Sequence, residues 1–477
     1  MKTNTSALLP LKILISAISF PRILNLFRLP QIRAPNFFML DATVIGCLRF
    51  EAFFTFNFLK DYVYLAFCKW ESSMKAKAAV IFPSLNYLGG AVRVCLGFIK
   101  VLSKAGYEVT LFTVDKTRWN LIRRVLGDFG DLRFKEHFII SRFPKFFDAS
   151  LRNISLALFY ILEVLAVRFF LRFDIVLVVG GELVDCLGDV VYINALPFRL
   201  EHSFPNKHFG RSSIWKSYSR IYDAFMKLLS RVDSKGLLLT NSHFLRDIIL
   251  EKTGRDSIVV YPPVETGKFM SNEGEQRLNL VVTVSRLHPG KSLNVVLEVA
   301  KLVDGAKFLI IGSSSGRFEE ALSELNEAIK RMNLEGKVIM MVNEPSSKLV
   351  EVLSKAKVLL HTQPTEAFGM VVVEAMAAGC VPVVPSSGGP WNDILDRRQG
   401  VYGFSYKNVS EAADIITLML NNEDLRREVA ERARVRALCF DKSVFEERIL
   451  SIINAINDVY SIDRQCSAVG GFKIWRI

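Results

Sequence analysis

One local pattern runs through this chain twice: an apolar stretch of strand length, a glycine-containing turn, a segment with apolar residues at helical spacing, then another apolar stretch. Strands that are apolar throughout, rather than alternating, belong to parallel sheets buried on both faces, and helices supply the cover. The first series opens with Ala78–Phe82, passes the loop Pro83–Gly90 into the helical segment Ala91–Lys104, and returns after Gly106 as Glu108–Val114. Asp174–Val179, Val190–Ile193 and Gly236–Thr240 extend it, and Ile154–Phe170, whose only charges are Glu163 and Arg168, reads as a buried helix. The second series places strands at Leu278–Val284, Phe308–Ile311, Val338–Met341, Val358–His361 and Val381–Val384, with helices near 293–303, 317–333, 346–355 and 370–378. Between the two lies Tyr261-Pro262-Pro263, and proline pairs interrupt regular structure.

The expectation is an α/β protein of two Rossmann-like αβα domains, residues 74–262 and 263–440, facing across a cleft. A helical segment, 441–477, should pack back on the first domain. Ligands of such sheets bind beyond the carboxyl ends of the strands, so the loops there should carry the chemistry.

The chain has 477 residues, half of them apolar, and can therefore bury two or three cores. Its net charge of +13 is unevenly spread: +4 over residues 1–73, +10 over 74–262 and −1 over 263–477. An anionic partner should therefore meet the first half of the chain. Nucleic acid is not expected, because the basic residues follow no recognition motif and are not interleaved with base-stacking aromatics. Residues 1–73 are apolar and basic, yet Lys12, Arg22, Arg28, Asp41, Arg49, Glu51 and Asp61 cut every apolar run short of the roughly 20 residues a spanning helix needs. This extension reads as lying at a membrane interface or as poorly ordered. Seven cysteines, an odd number without a C-x-x-C pair, suit a reducing compartment. The six histidines are scattered without zinc-like spacing, and the chain lacks Asp-x-Asp, so no metal is expected.

Four stretches can carry chemistry. The first is Glu366–Gly379, a loop feeding a helix that begins near Gly369 or Met370. A helix N-terminus offers unpaired amides and a positive dipole end to phosphate. Glu366 and Glu374 can take opposite ends of an elongated, hydroxyl-rich ligand, since carboxylates accept strong hydrogen bonds. The second is Ser285–Ser292, in which Gly290-Lys291-Ser292 lacks the first glycine of a P-loop. What remains is Arg286 and Lys291 on a strand-to-helix loop, a pair suited to a diphosphate. The third is Ser84–Gly90, where Gly89 and Gly90 allow close approach of backbone to ligand. The fourth, Ser386–Pro390 with Gly388 and Gly389, serves either a ligand or a turn.

Together these residues resemble the retaining glycosyltransferases of the GT-B fold, family 4. The E-x(7)-E block, the R-x(4)-K pair, the early Gly-Gly loop and Tyr261–Val264 stand in the family's order, over about residues 77–440. Ser387–Pro390 with Glu366–Gly379 is most similar to the mannosyltransferases that extend lipid-linked oligosaccharides. The resemblance implies that Arg286 and Lys291 bind a donor diphosphate, that Glu374 holds ribose hydroxyls and that Glu366 faces the transferred sugar. The amides of Phe368, Gly369, Met370 and Val371 would line sugar and phosphate, and Gly89 and Gly90 would let the other domain close over them. It implies a nucleoside-diphosphate sugar as co-substrate, no cofactor or metal, and same-face attack by an acceptor hydroxyl.

In Tyr192–Pro197, Asn194 stands where many relatives carry a histidine, and His202 could replace it only if the loop folds back. Asn194, His202, Gly388 and Gly389 are the acceptor-side candidates. With the basic first half, the expected acceptor is a lipid-linked or phosphate-bearing glycan at an anionic membrane surface, with the protein peripheral on the cytoplasmic face. A soluble sugar acceptor, or an idle binding module that kept the fold, are the alternatives.

Overall fold

A computed structural model of the protein describes residues 75–87, 89–127, 132–141, 149–180, 188–196, 236–270, 277–287, 291–312 and 319–470. The N-terminal extension, His202 and the His288–Gly290 tip of the basic loop lie outside the described residues.

The first lobe runs β1 (Lys77–Ile81), α1 (Gly90–Lys104), β2 (Glu108–Asp115), α2 (Trp119–Leu126), β3 (Phe134–Ile140), α3 (Ala149–Phe170), β4 (Ile175–Gly180), β5 (Val190–Ile193), β6 (Leu237–Thr240), α4 (His243–Thr253) and β7 (Ile258–Val259). Its seven strands pair in parallel in the order β3-β2-β1-β4-β5-β6-β7. The second runs α5 (Thr266–Met270), β8 (Leu278–Val284), α6 (Asn294–Leu302), β9 (Lys307–Gly312), α7 (Glu319–Arg331), β10 (Val338–Val342), α8 (Ser346–Lys355), β11 (Ala356–Leu360), α9 (Met370–Ala377) and β12 (Val381–Pro385). It continues through a π-helical turn (Pro390–Ile394), β13 (Phe404–Tyr406), α10 (Val409–Asn421) and α11 (Glu423–Ala437). These six strands are ordered β10-β9-β8-β11-β12-β13, again parallel.

Most of the apolar strand runs are buried, β4 and β5 at every position, whereas the equally apolar edge strand β10 is buried only at Val338. In α3, Tyr160, Ile161, Val164 and Val167 are buried, and Glu163 is buried with them. Among the described residues, no helix is long and apolar enough to cross a membrane.

The chain passes between the lobes twice. Outbound, Val264 accepts from the Lys442 amide at 2.8 Å and donates to the Phe440 carbonyl at 3.2 Å, so the two passes are pinned side by side. The last helix, α12 (Lys442–Gly470), then returns to the first lobe. Phe445 packs edge-on against Phe98 of α1, with ring centroids 5.2 Å apart, and Ile449 and Ile453 join the same core. Gly97 makes room for this: a Cβ there would lie 2.9 Å from the Phe445 ring.

Candidate active site

Strand β11 ends at Leu360, and residues 361–369 then loop from the carboxyl edge of the sheet to the start of α9. Gly369 has φ of 93°, a left-handed conformation that glycine enters without strain, and a Cβ there would sit 2.9 Å from Pro390 Cγ. No side chain caps α9; the Val372 amide turns back to the Gly369 carbonyl at 2.9 Å, and the Met370 and Val371 amides stand at the positive end of the helix dipole without a side-chain acceptor. Met370 and Val371 are partly exposed there, whereas the Phe368 ring is buried against Tyr261 and Phe440, at 5.5 Å from each. Phe368 therefore anchors the loop through its ring, and what it can offer a ligand is its amide.

Lys291 and Glu366 meet although 75 residues apart. The ammonium donates to Glu366 Oε2 at 2.8 Å and also to Gln363 Oε1, while Thr362 Oγ1 donates to the Lys291 carbonyl at 2.8 Å. Arg286 is exposed beyond the end of β8. Burial pushes the Glu366 carboxyl up, but Lys291, His361 and Arg286 outweigh it and hold the group below its ordinary range. Glu366 thus sits against the Lys291 ammonium and within the field of Arg286. His361, only 8% exposed, has a buried Nε2 without a hydrogen-bond partner. Its burial, aided by Lys291 and opposed by Glu366, holds the imidazole down at about 4, so it is neutral near pH 7.

Glu374 is buried in α9, and the residue that reaches it comes from the other lobe: Arg93 of α1 donates to its Oε1. The carboxylate's field, opposed by burial, raises the guanidinium above its usual value. Helix α1, like α9, starts without a side-chain cap. Its first residue, Gly90, faces the first residue of α9 so closely that a Cβ would stand 2.7 Å from Met370 Sδ. Gly89 is extended, with φ of 166°.

Gly388 and Gly389 pack beneath the Glu366 loop. The Gly389 amide donates to the Glu366 carbonyl at 2.9 Å and Ser387 Oγ to the Pro364 carbonyl at 2.8 Å. A Cβ on Gly388 would lie 2.8 Å from the Pro364 oxygen, so these glycines let one loop brace another. Asn194 follows β5 in the first lobe, with its amide bonded to Gly180 and its carbonyl to Asn241. Its side-chain Nδ2 is buried without a partner.

Arg93, His361, Gln363 and Asp393 escaped the sequence reading. Arg93 had one signal, a cation in the first turn of a helix, where the dipole disfavours it. Asp393, buried in the π-helical turn, accepts from the His243 and Phe244 amides at 2.6 and 3.2 Å, so a second-lobe carboxylate caps α4 of the first lobe. No local pattern announces such a cap, since donor and acceptor lie some 150 residues apart.

Residues 267–436 match the family described as Glycosyl transferases group 1. The chain is 28% identical over 312 residues, 60% of its length, to the GDP-Man:Man(3)GlcNAc(2)-PP-Dol alpha-1,2-mannosyltransferase of Dictyostelium discoideum. It is 27% identical over 238 residues to the human protein of the same description. It spans 61% of the length of the first of these relatives and 48% of the second. Among solved structures, Anabaena HepE in complex with UDP and glucose aligns over 80% of this chain and 100% of its own, with a TM-score of 0.58 and 16% identity. Sucrose-phosphate synthase from Thermosynechococcus elongatus aligns over 81% of this chain and 100% of its own, at a TM-score of 0.61 and 13% identity. In fold the chain is therefore a GT-B protein, and its second lobe carries a glycosyltransferase group 1 domain.

Proposed function

We propose that this protein transfers a mannosyl group from a nucleoside-diphosphate sugar, GDP-mannose in the first instance, to a hydroxyl of a lipid-linked glycan. The observation that carries the reading is the Lys291–Glu366 pair beside the uncapped start of α9, inside a glycosyltransferase group 1 domain. The donor diphosphate would take the α9 amides, Arg286 and Lys291. Lys291 would exchange part of its bond with Glu366 for phosphate oxygen, and Glu366 would turn to the sugar hydroxyls. Preorganised cations and amides of this kind stabilise the charge that develops on a leaving group.

The C1–O bond to phosphate breaks, a C1–O bond to the acceptor forms on the same face, and the acceptor's proton passes to the departing phosphate oxygen. The reaction proceeds with retention and without a metal ion. Glu374 would hold the ribose, while Asn194, with its unpartnered Nδ2, would meet the acceptor. The basic first half would face an anionic membrane surface, where each cation contributes about 1 kcal/mol. A peripheral position on the cytoplasmic face follows from that reading.

The test is transfer by the full chain from GDP-mannose to a diphosphate-lipid-linked oligosaccharide, with and without EDTA, and with the product's anomeric configuration read by NMR. Transfer with retention that survives EDTA is expected. Transfer from UDP-glucose to a soluble sugar phosphate instead would replace the donor and acceptor assignments, and loss of activity with EDTA would overturn metal independence.

A further inference from the structure

Arg93 has no role in the reading above, and its position is unusual in three respects. It lies in the first turn of α1, where the helix dipole disfavours a cation, so its stabilising partner has to come from outside its own helix. That partner is Glu374 of the opposite lobe, a carboxylate only 3% exposed. A carboxylate so buried needs a compensating charge, and among the described residues Arg93 supplies it. Finally, the contact is made by one oxygen: Arg93 Nη1 reaches Oε1, and no described group bonds Oε2. An ionised carboxylate has about four acceptor sites on its two oxygens, so half of this one's capacity is left over. Gly90, against Met370, brings the two helix ends close enough for the guanidinium to span them.

We propose that Arg93 is a positioning residue of the donor site: it holds Glu374 by one oxygen so that the other is presented to the vicinal hydroxyls of a nucleotide's ribose. The ribose site is then composite. Its carboxylate belongs to the second lobe and its alignment to the first, so nucleotide affinity is coupled to contact between the lobes. This rests on the donor reading above, in which Glu374 faces ribose. A lysine in place of Arg93 would keep the charge but lose the planar fork that fixes the carboxylate's angle.

The experiment measures affinities of the full chain for GDP and 2′,3′-dideoxy-GDP, and for the UDP pair, by calorimetry, with wild type, Arg93→Gln and Arg93→Lys. Wild type should prefer the ribonucleotide by about tenfold or more, as expected for hydrogen bonds to a charged acceptor. In Arg93→Gln that ratio should collapse to within about twofold while affinity for the dideoxy nucleotide stays nearly constant, and Arg93→Lys should fall between. Should Arg93→Gln fail to fold, the reduced ratio in Arg93→Lys carries the test. An undiminished ribose preference in the variants overturns the proposal, as does an equal loss for both nucleotides, which would make Arg93 a phosphate or packing residue. Wild type that binds both nucleotides equally overturns it and leaves the nucleotide site standing. Wild type that binds none of the four removes the donor reading itself, and this inference with it.

Discussion

Two strand–loop–helix units meet at the mouth of the cleft, β1 to α1 from one lobe and β11 to α9 from the other, and they are built in opposite ways. Both helices start at a glycine without a side-chain cap. The β11 loop is clamped: Gly369 is left-handed against Pro390, Gly388 and Gly389 press on the backbone of 364–368, and Lys291 ties down Glu366. The β1 loop is held mainly through Asn86, whose Nδ2 bonds Asp115 Oδ2 and the Lys116 carbonyl at 3.0 Å each, with the Ser84 hydroxyl and the buried Leu85 beside it, while a Cβ on Gly89 would meet only the Tyr87 carbonyl, at 4.0 Å. The β11 unit contributes a buried carboxylate and the β1 unit the cation that answers it. One side of the cleft is thus a fixed template, and the other supplies a reach across the gap.

The contrast is most sharply broken at Lys291. Lys291→Ala should lower turnover by about 10²–10³, a loss of several kcal/mol of transition-state stabilisation, without unfolding the protein. Near wild-type kcat from an enzyme with unchanged circular dichroism would move the template's chemistry elsewhere.

The next effect is on pH dependence. The ordinary histidine value, 6.5, applies to the unfolded chain, whereas His361 is held at about 4 in the fold. The unfolded state therefore binds more protons between these values, and stability is lost as pH falls from about 6.5 to 4, by up to roughly 3 kcal/mol. Denaturant titrations across that window should show the slope in wild type and a flatter one in His361→Asn; identical slopes would mean that His361 is not the buried neutral group of the template.

The two helix-start glycines sharpen the comparison further. Gly369→Ala, forced into a left-handed backbone against Pro390, should cost about 1–3 kcal/mol of stability. Gly89→Ala should stay within about 0.5 kcal/mol, because its extended backbone suits any residue and its surroundings are open. Thermal melts of the two variants measure both, and equal losses would erase the distinction between template and reach.

Much of this was legible in the residues. Continuous apolar runs located β1, β2, β4 to β6 and β8 to β12; a strand buried on both faces has no polar side to hide the signal, and the edge strand β10 is apolar although only Val338 is buried. Glu366, Glu374, Arg286 and Lys291 were legible because helix starts and strand-end loops impose local residue types. The weaker strands were not: β3 is mostly half-buried, β7 has two residues and β13 three. Strand order was not legible either, since pairing is decided between segments rather than within them. The same holds for the partners that complete the site. Gly388 and Gly389 read as a turn or a ligand loop, and only the neighbouring backbone of 364–368 shows what they leave room for. Arg93 and Asp393 each look like an ordinary surface charge until the opposite lobe is in place.

The return of α12 sets a schedule for synthesis. Phe445, Ile449 and Ile453 are among the side chains that fill the first lobe's interior, yet the ribosome makes them only after the entire second lobe. Domains of a nascent chain tend to fold in order of emergence. Here the earlier half lacks the part of its core that covers α1 until the later half has emerged.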